Sequence, residues 1–129
     1  MIEEGVDNPF ILFGHYGKNQ STDSTWGDIW PNLHGWKLEL MLSGAQHGTF
    51  TDFPLLLEVL GLTNQIPGAG DLIGTLSGTR ALELITEYLI AFFDSVLKSK
   101  PSPLLRAPSK EFPEVEFVAV GKSGGRLNY

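Results

Sequence analysis

Two hydrophobic periods succeed one another along the chain. Phe10, Ile11, Leu12 and Phe13 form a continuous apolar run between Pro9 and Gly14, which predicts a short strand buried on both faces, as in a parallel sheet. After a polar loop at 18–22, Asp23 and Ser24 stand where an N-cap would open a helix carrying Trp26, Ile29, Trp30 and Leu33, apolar positions three and four apart. Pro31 strains that helix and Gly35 closes it. Residues 36–42 then alternate apolar with polar, the period of a second strand.

A small-residue turn at 43–48 leads into a helix over 53–60, with Pro54 tolerated in its first turn. The stretch 63–78 is rich in glycine and reads as a loop, long enough to favour a functional or mobile role over a mere connection. The clearest helix is predicted over 79–99. Its apolar stripe is Leu82, Ile85, Leu89, Phe92, Phe93 and Val96, with Arg80, Glu83, Glu87 and Asp94 largely off it. Lys98 and Lys100 suit the C-terminal end of its dipole, and Pro101 and Pro103 prevent continuation. Residues 100–129 read as an extended Pro/Gly-rich tail holding one further strand-like run at 115–120.

Strands alternating with amphipathic helices define an α/β class with parallel strands. A length of 129 residues allows a single domain with a real core. Two well-patterned strands and a weaker third are too few for an independent parallel sheet, whose faces and edges must all be covered. The expectation is therefore one partial α/β domain over 1–129, an incomplete sheet.

Charge and composition remove several functions. Nine Lys and Arg against fifteen Asp and Glu give a formal charge of -6 with no basic cluster, so the chain lacks the cationic face that nucleic acid requires. The absence of cysteine removes disulfides, a thiol nucleophile and Cys-ligated zinc together. The first ten residues carry no leader pattern and no apolar run approaches a membrane span. A cytoplasmic location is the default expectation.

Among the residues able to do chemistry, His47 stands out. It sits among Gly44, Ala45 and Gly48, after a predicted strand and before a helix, and ligands of open α/β sheets bind at the carboxyl ends of strands. An imidazole there can take and return a proton near neutral pH; the bland alternative is a surface histidine capping the next helix. His15 also follows a strand, but histidines spaced 19 and 13 apart match no metal-ligand pattern, so neither a metal nor a cofactor is expected. His34, at a helix end, reads as a dipole partner. Residues 121–125 match G-x-S-x-G around Ser123, the motif of a serine nucleophile, yet that motif works at a strand-to-helix turn and places the serine before the histidine; a Gly-rich tail is the simpler reading. Asp23 could orient an imidazole but fits an N-cap better. Asp52 lies in the first turn of a helix, where a negative charge favours the dipole. The three tryptophans, Trp26, Trp30 and Trp36, read as core and cleft wall.

The residues from Pro9 to His15, the group Asp23-Ser24-Thr25-Trp26, Trp30-Pro31, Leu33-His34-Gly35-Trp36 and above all Gly44-Ala45-Gln46-His47-Gly48-Thr49-Phe50-Thr51-Asp52 resemble the C-terminal part of α/β-hydrolases, in the branch of the platelet-activating-factor acetylhydrolase-like esterases. The resemblance runs on through Ala91-Phe92-Phe93-Asp94, Pro103-Leu104-Leu105 and Phe112-Pro113-Glu114-Val115, nearly the whole chain. It implies that His47 is the catalytic base, that Phe50 and Asp52 are supporting positions, and that the serine nucleophile, the triad aspartate and the oxyanion donors precede the first strand seen here. The implied reaction is hydrolysis of short acyl esters of phospholipids or secondary metabolites, a step in lipid degradation, with this chain supplying only the histidine. An N-terminal hydrolase partner chain, or a longer gene product of which this is a truncated part, would complete it; self-association through an exposed sheet edge is the other partner contact expected. The alternative is a non-catalytic remnant acting as an interaction or ligand-binding module.

Overall fold

The computed structural model describes residues 4–121. Its order begins with strand β1 (Phe10–His15), helix α1 (Ser24–Ile29), a 3-10 turn (Trp30–Asn32) and strand β2 (Lys37–Leu42). A second 3-10 turn (His47–Phe50) opens the next stretch, followed by α2 (Phe53–Val59), α3 (Ala69–Ile73) and α4 (Gly78–Lys98). A 3-10 turn (Pro103–Leu105) and strand β3 (Val115–Gly121) complete it. The strand order is β1-β2-β3. The β1–β2 pair is parallel, with Phe10 opposite Lys37 and His15 opposite Leu42. The expected α/β alternation thus holds for the first two strands, whereas β3 returns antiparallel to β2 with a register shift at Glu39/Leu40.

Pro31 acts as anticipated: the predicted single helix ends at Ile29, and the chain continues as a 3-10 turn with Pro31 near its start. The stretch 63–78 is not wholly loop. It contains the five-residue α3, which Gly68 and Gly74 bracket with φ of 77° and 74°. A helix this short has no periodicity to read.

The core lies between β2 and α4. Leu38, Leu40 and Leu42 of β2 are fully buried against Leu84 and Tyr88 of α4, with Leu105, Phe112 and Val115 closing the far side. Burial of each such side chain contributes roughly 1.5–3 kcal/mol. The expected stripe on α4 needs correction: Leu82, Leu89 and Phe93 are 51%, 41% and 50% exposed, while Ala81, Leu84, Tyr88, Ala91, Phe92 and Ser95 are buried. Of the expected stripe Phe92 is buried and Ile85 and Val96 pack against the core, while the rest of the contact face mixes Leu84 and Tyr88 with the small Ala81, Ala91 and Ser95.

Polar ties fix the ends of α4. The Ser77 hydroxyl accepts from Arg80 N–H as its N-cap (3.1 Å). Arg80 donates through Nε and a terminal amine to both oxygens of Glu114 (2.9 and 3.0 Å), and its guanidinium lies 5.1 Å above the Phe112 ring. This fork joins the start of α4 to the approach to β3. At the other end Lys98 pairs with Asp94 at 2.6 Å, as the dipole favours.

Candidate functional site

Because β1 and β2 are parallel, both loops that follow them emerge at one end of the sheet. The loop after β1 begins at His15 and Tyr16, and the turn after β2 leads to His47; Tyr16 N–H donates to the Ala45 carbonyl (3.2 Å), so the two are in contact. This is the strand end at which open α/β sheets bind ligands.

His47 is the first residue of the second 3-10 turn and is exposed. Among the described residues no side chain hydrogen-bonds its imidazole. Its ring is free to meet a ligand, and the point from which it projects is set by the backbone that carries it. That backbone is well held. Thr49, 1% exposed, accepts from Gln46 N–H (2.8 Å) and donates to the Ile73 carbonyl (2.7 Å). Thr75 N–H donates to the Gly44 carbonyl (2.8 Å). The long glycine-rich stretch therefore wraps beneath the histidine turn.

Phe50 packs edge-on against Phe13 of β1, centroids 5.7 Å apart, which ties the turn to the sheet. Asp52 is exposed at the N-cap of α2, but its side chain makes no cap bond; the Thr51 hydroxyl accepts from Phe53 N–H instead (3.2 Å). Asp23 caps α1 by accepting from Trp26 N–H (3.0 Å) and pairs with Lys18 (3.0 Å), and these two interactions hold its carboxyl below the usual range. It is committed to the helix rather than to an imidazole. His15 ends β1, its Nδ1 2.9 Å from its neighbour's carbonyl at Tyr16. His34 is exposed beside Asp7 at 3.5 Å. Ser123 lies outside the described residues. Among the described residues no group of three or more His, Asp or Glu side chains is arranged to hold a metal ion.

Sequence reasoning missed two features. Glu39 counted as the polar side of an alternating strand, yet it is fully buried, and its two oxygens accept from Gln20 N–H (2.7 Å) and Gln20 Nε2 (3.0 Å). The alternation was correct, but the second face of β2 is roofed by the loop after β1, so the carboxylate serves as that loop's anchor. The support of the histidine turn by α3 was also invisible, although the glycines at 68 and 74 were its only available signal.

No family model matches the chain. It is 35% identical over 117 residues to a probable 1-alkyl-2-acetylglycerophosphocholine esterase of Arthroderma benhamiae, an alignment covering 85% of this chain and 30% of that protein. Its fold superposes on a ferulic acid esterase from Streptomyces cinnamoneus with a TM-score of 0.78 and 36% identity, over 91% of this chain and 35% of that one. The chain thus spans about a third of the length of each protein it matches. No helix among the described residues is long and apolar enough to cross a membrane.

Proposed function

We propose that this chain, which resembles part of an α/β-hydrolase-like esterase, supplies the catalytic histidine of a carboxylic-ester hydrolase, and that His47 is that residue. The observation that carries the reading is the placement of His47: exposed, with a ring unbonded within the described residues, on a braced turn at the carboxyl end of the central strand. The nucleophile and the acid come from the rest of an α/β-hydrolase fold, in a longer polypeptide or a partner chain. The outer edge of β1, unpaired among the described residues, and the exposed Leu82, Leu89 and Phe93 of α4 are the surfaces that remainder would cover.

In this reaction the His47 imidazole accepts the proton of a serine hydroxyl while its oxygen attacks the ester carbonyl. As the tetrahedral adduct collapses, the bond to the alcohol oxygen breaks and His47 returns the proton to that oxygen. A water then repeats the sequence on the acyl-enzyme, releasing the acid and restoring the serine. Short acyl esters of phospholipids or of secondary metabolites are the substrates we assign. The names of the two similar proteins, one for an acetyl ester of a phospholipid and one for an aromatic-acid ester, support the ester class.

The test is turnover of p-nitrophenyl acetate by the 129-residue chain alone and joined to a complementary hydrolase part that carries G-x-S-x-G. Turnover is expected only in the second case, and His47→Ala should reduce it by roughly 10⁴–10⁶-fold, because triad members act as a unit. Near-normal activity in His47→Ala would remove the assignment. Turnover by the chain alone that a serine-directed phosphonate blocks would instead make Ser123 the nucleophile. A complemented form with no turnover would leave the interaction-module reading standing.

A further inference from the structure

We propose that Thr49 is a positioning residue for His47, acting by clamping the histidine turn to the backbone of residues 72–75; the inference rests on His47 being the catalytic base. Thr49 lies two residues beyond His47 on the same 3-10 turn and is the turn's most buried polar side chain, 1% exposed. Its hydroxyl is used in both senses, accepting from Gln46 N–H (2.8 Å) and donating to the Ile73 carbonyl (2.7 Å). The first bond closes the turn on its own N-cap. The second reaches across to the last residue of α3.

A second tie mirrors it on the other side of the histidine, where Thr75 N–H donates to the Gly44 carbonyl (2.8 Å). His47 is therefore bracketed, with one tie before it and one after. The fit between the segments leaves no slack. Gly74 holds φ at 74°, and a Cβ there would collide with the Gly44 carbonyl. A Cβ at Gly48 would stand 2.8 Å from the Leu72 carbonyl and 3.0 Å from the Leu72 Cγ. Backbone thus packs on backbone directly under the residue beside His47.

This construction has a functional consequence because the His47 ring has no hydrogen-bonded orienting side chain among the described residues. Its position follows its turn, and a displacement of about 1 Å from productive geometry costs about 10²-fold in rate. Thr49 touches no reacting atom; it holds the turn that does.

The experiment compares Thr49→Val, which keeps shape and loses the hydroxyl, Thr49→Ser, which keeps the hydroxyl, and Leu72→Ala, an exposed position whose truncation loosens the same contact without burying a polar group. In a version that turns over p-nitrophenyl acetate, Thr49→Val should lower kcat by about 10²-fold with KM nearly unchanged. Thr49→Ser should recover most of that loss, and Leu72→Ala should fall between. In the 129-residue chain, amide hydrogen exchange at Thr75 should accelerate about tenfold or more in Thr49→Val and less in Leu72→Ala, while the His47 Cε1 NMR signal broadens as its turn samples more positions. Unchanged exchange at Thr75 in both variants would overturn the clamp, as would a Thr49→Ser variant as impaired as Thr49→Val. If Thr49→Val does not fold, Leu72→Ala and Thr49→Ser decide the matter by the same two readouts. A wild type without turnover would count against the esterase reading alone, since the exchange and NMR measurements need no catalysis.

Discussion

The two halves of the molecule are held by different means. Between β2 and α4, order comes from side chains: Leu38, Leu40, Leu42, Leu84 and Tyr88 are all fully buried in one continuous cluster. At the carboxyl end of the sheet, α2 and α3, beside the histidine turn, share a much smaller cluster of Leu57, Ala69 and Ile73, with Phe53 and Leu62 packed against it. There, position is set by hydrogen bonds between backbone and hydroxyl and by glycines that let two segments touch. Free energy of folding and geometry of the site are thus stored apart. A core absorbs changes in many side chains collectively, whereas a turn fixed by two or three bonds is rigid only while each is made.

Substitutions in each half should therefore fail in different assays. The largest effect expected is on chemistry alone: His47→Ala, exposed and free of side-chain partners among the described residues, should abolish turnover of the completed hydrolase while leaving the thermal midpoint of this chain close to wild type. A large fall in the midpoint would show that the site is part of the fold's support and would break the separation. Next is Leu84→Ala, which opens a cavity against β2 and should cost about 2–5 kcal/mol of global stability, read from urea denaturation. Ile73→Ala removes a side chain of similar size from the small cluster. It should cost toward the lower end of that range, because the site can collapse, and its effect should concentrate in the exchange of the Thr75 amide. Equal global losses from the two would mean that a single cooperative core spans both halves.

The division also explains what was legible in the sequence. The strand at Phe10–His15, the alternation that makes Lys37–Leu42 a strand and the long α4 are each written in hydrophobic period, and the structure places each within a residue or two of its expected limits. His47 was legible as a position, since strand, small-residue turn and helix locate a strand's carboxyl end without any knowledge of contacts. What holds it was not, because Thr49 meets Ile73 across a gap of 24 residues and no local pattern encodes that pairing. Tyr88 shows the same limit inside the core. It is fully buried with its hydroxyl unpaired among the described residues, and burial pushes its phenol pKa up. Nothing in its spacing distinguishes it from the half-exposed Leu89 beside it. Likewise the antiparallel return of β3 depends on how the segment 99–114 crosses the core, and on the Arg80–Glu114 fork that directs it.

The smallest expected effect concerns acid, and it sets the two halves against each other once more. Glu114 is held below the usual carboxylate range first by its hydrogen bonds from Arg80, and Asp23 first by the Trp26 N–H it caps and then by Lys18. A carboxyl whose pKa is lower folded than unfolded binds fewer protons in the native state. It contributes stability above its ordinary value, 4.5 for Glu114 and 3.8 for Asp23, and that contribution is lost as pH falls through the depressed folded value. Urea midpoints should accordingly be flat near neutrality and decline below about pH 4. Glu114→Gln should lower the neutral plateau and make the acid decline shallower, as its charge-assisted fork with Arg80 bridges α4 and β3. Asp23→Asn keeps an acceptor suited to the N-cap and removes only the charge that meets Lys18. Its plateau should scarcely move, because an exposed ion pair contributes little, and its decline should flatten slightly. A larger effect from Asp23→Asn than from Glu114→Gln would place the electrostatic support of the fold around the loops of the site rather than around α4, reversing the contrast between the two halves.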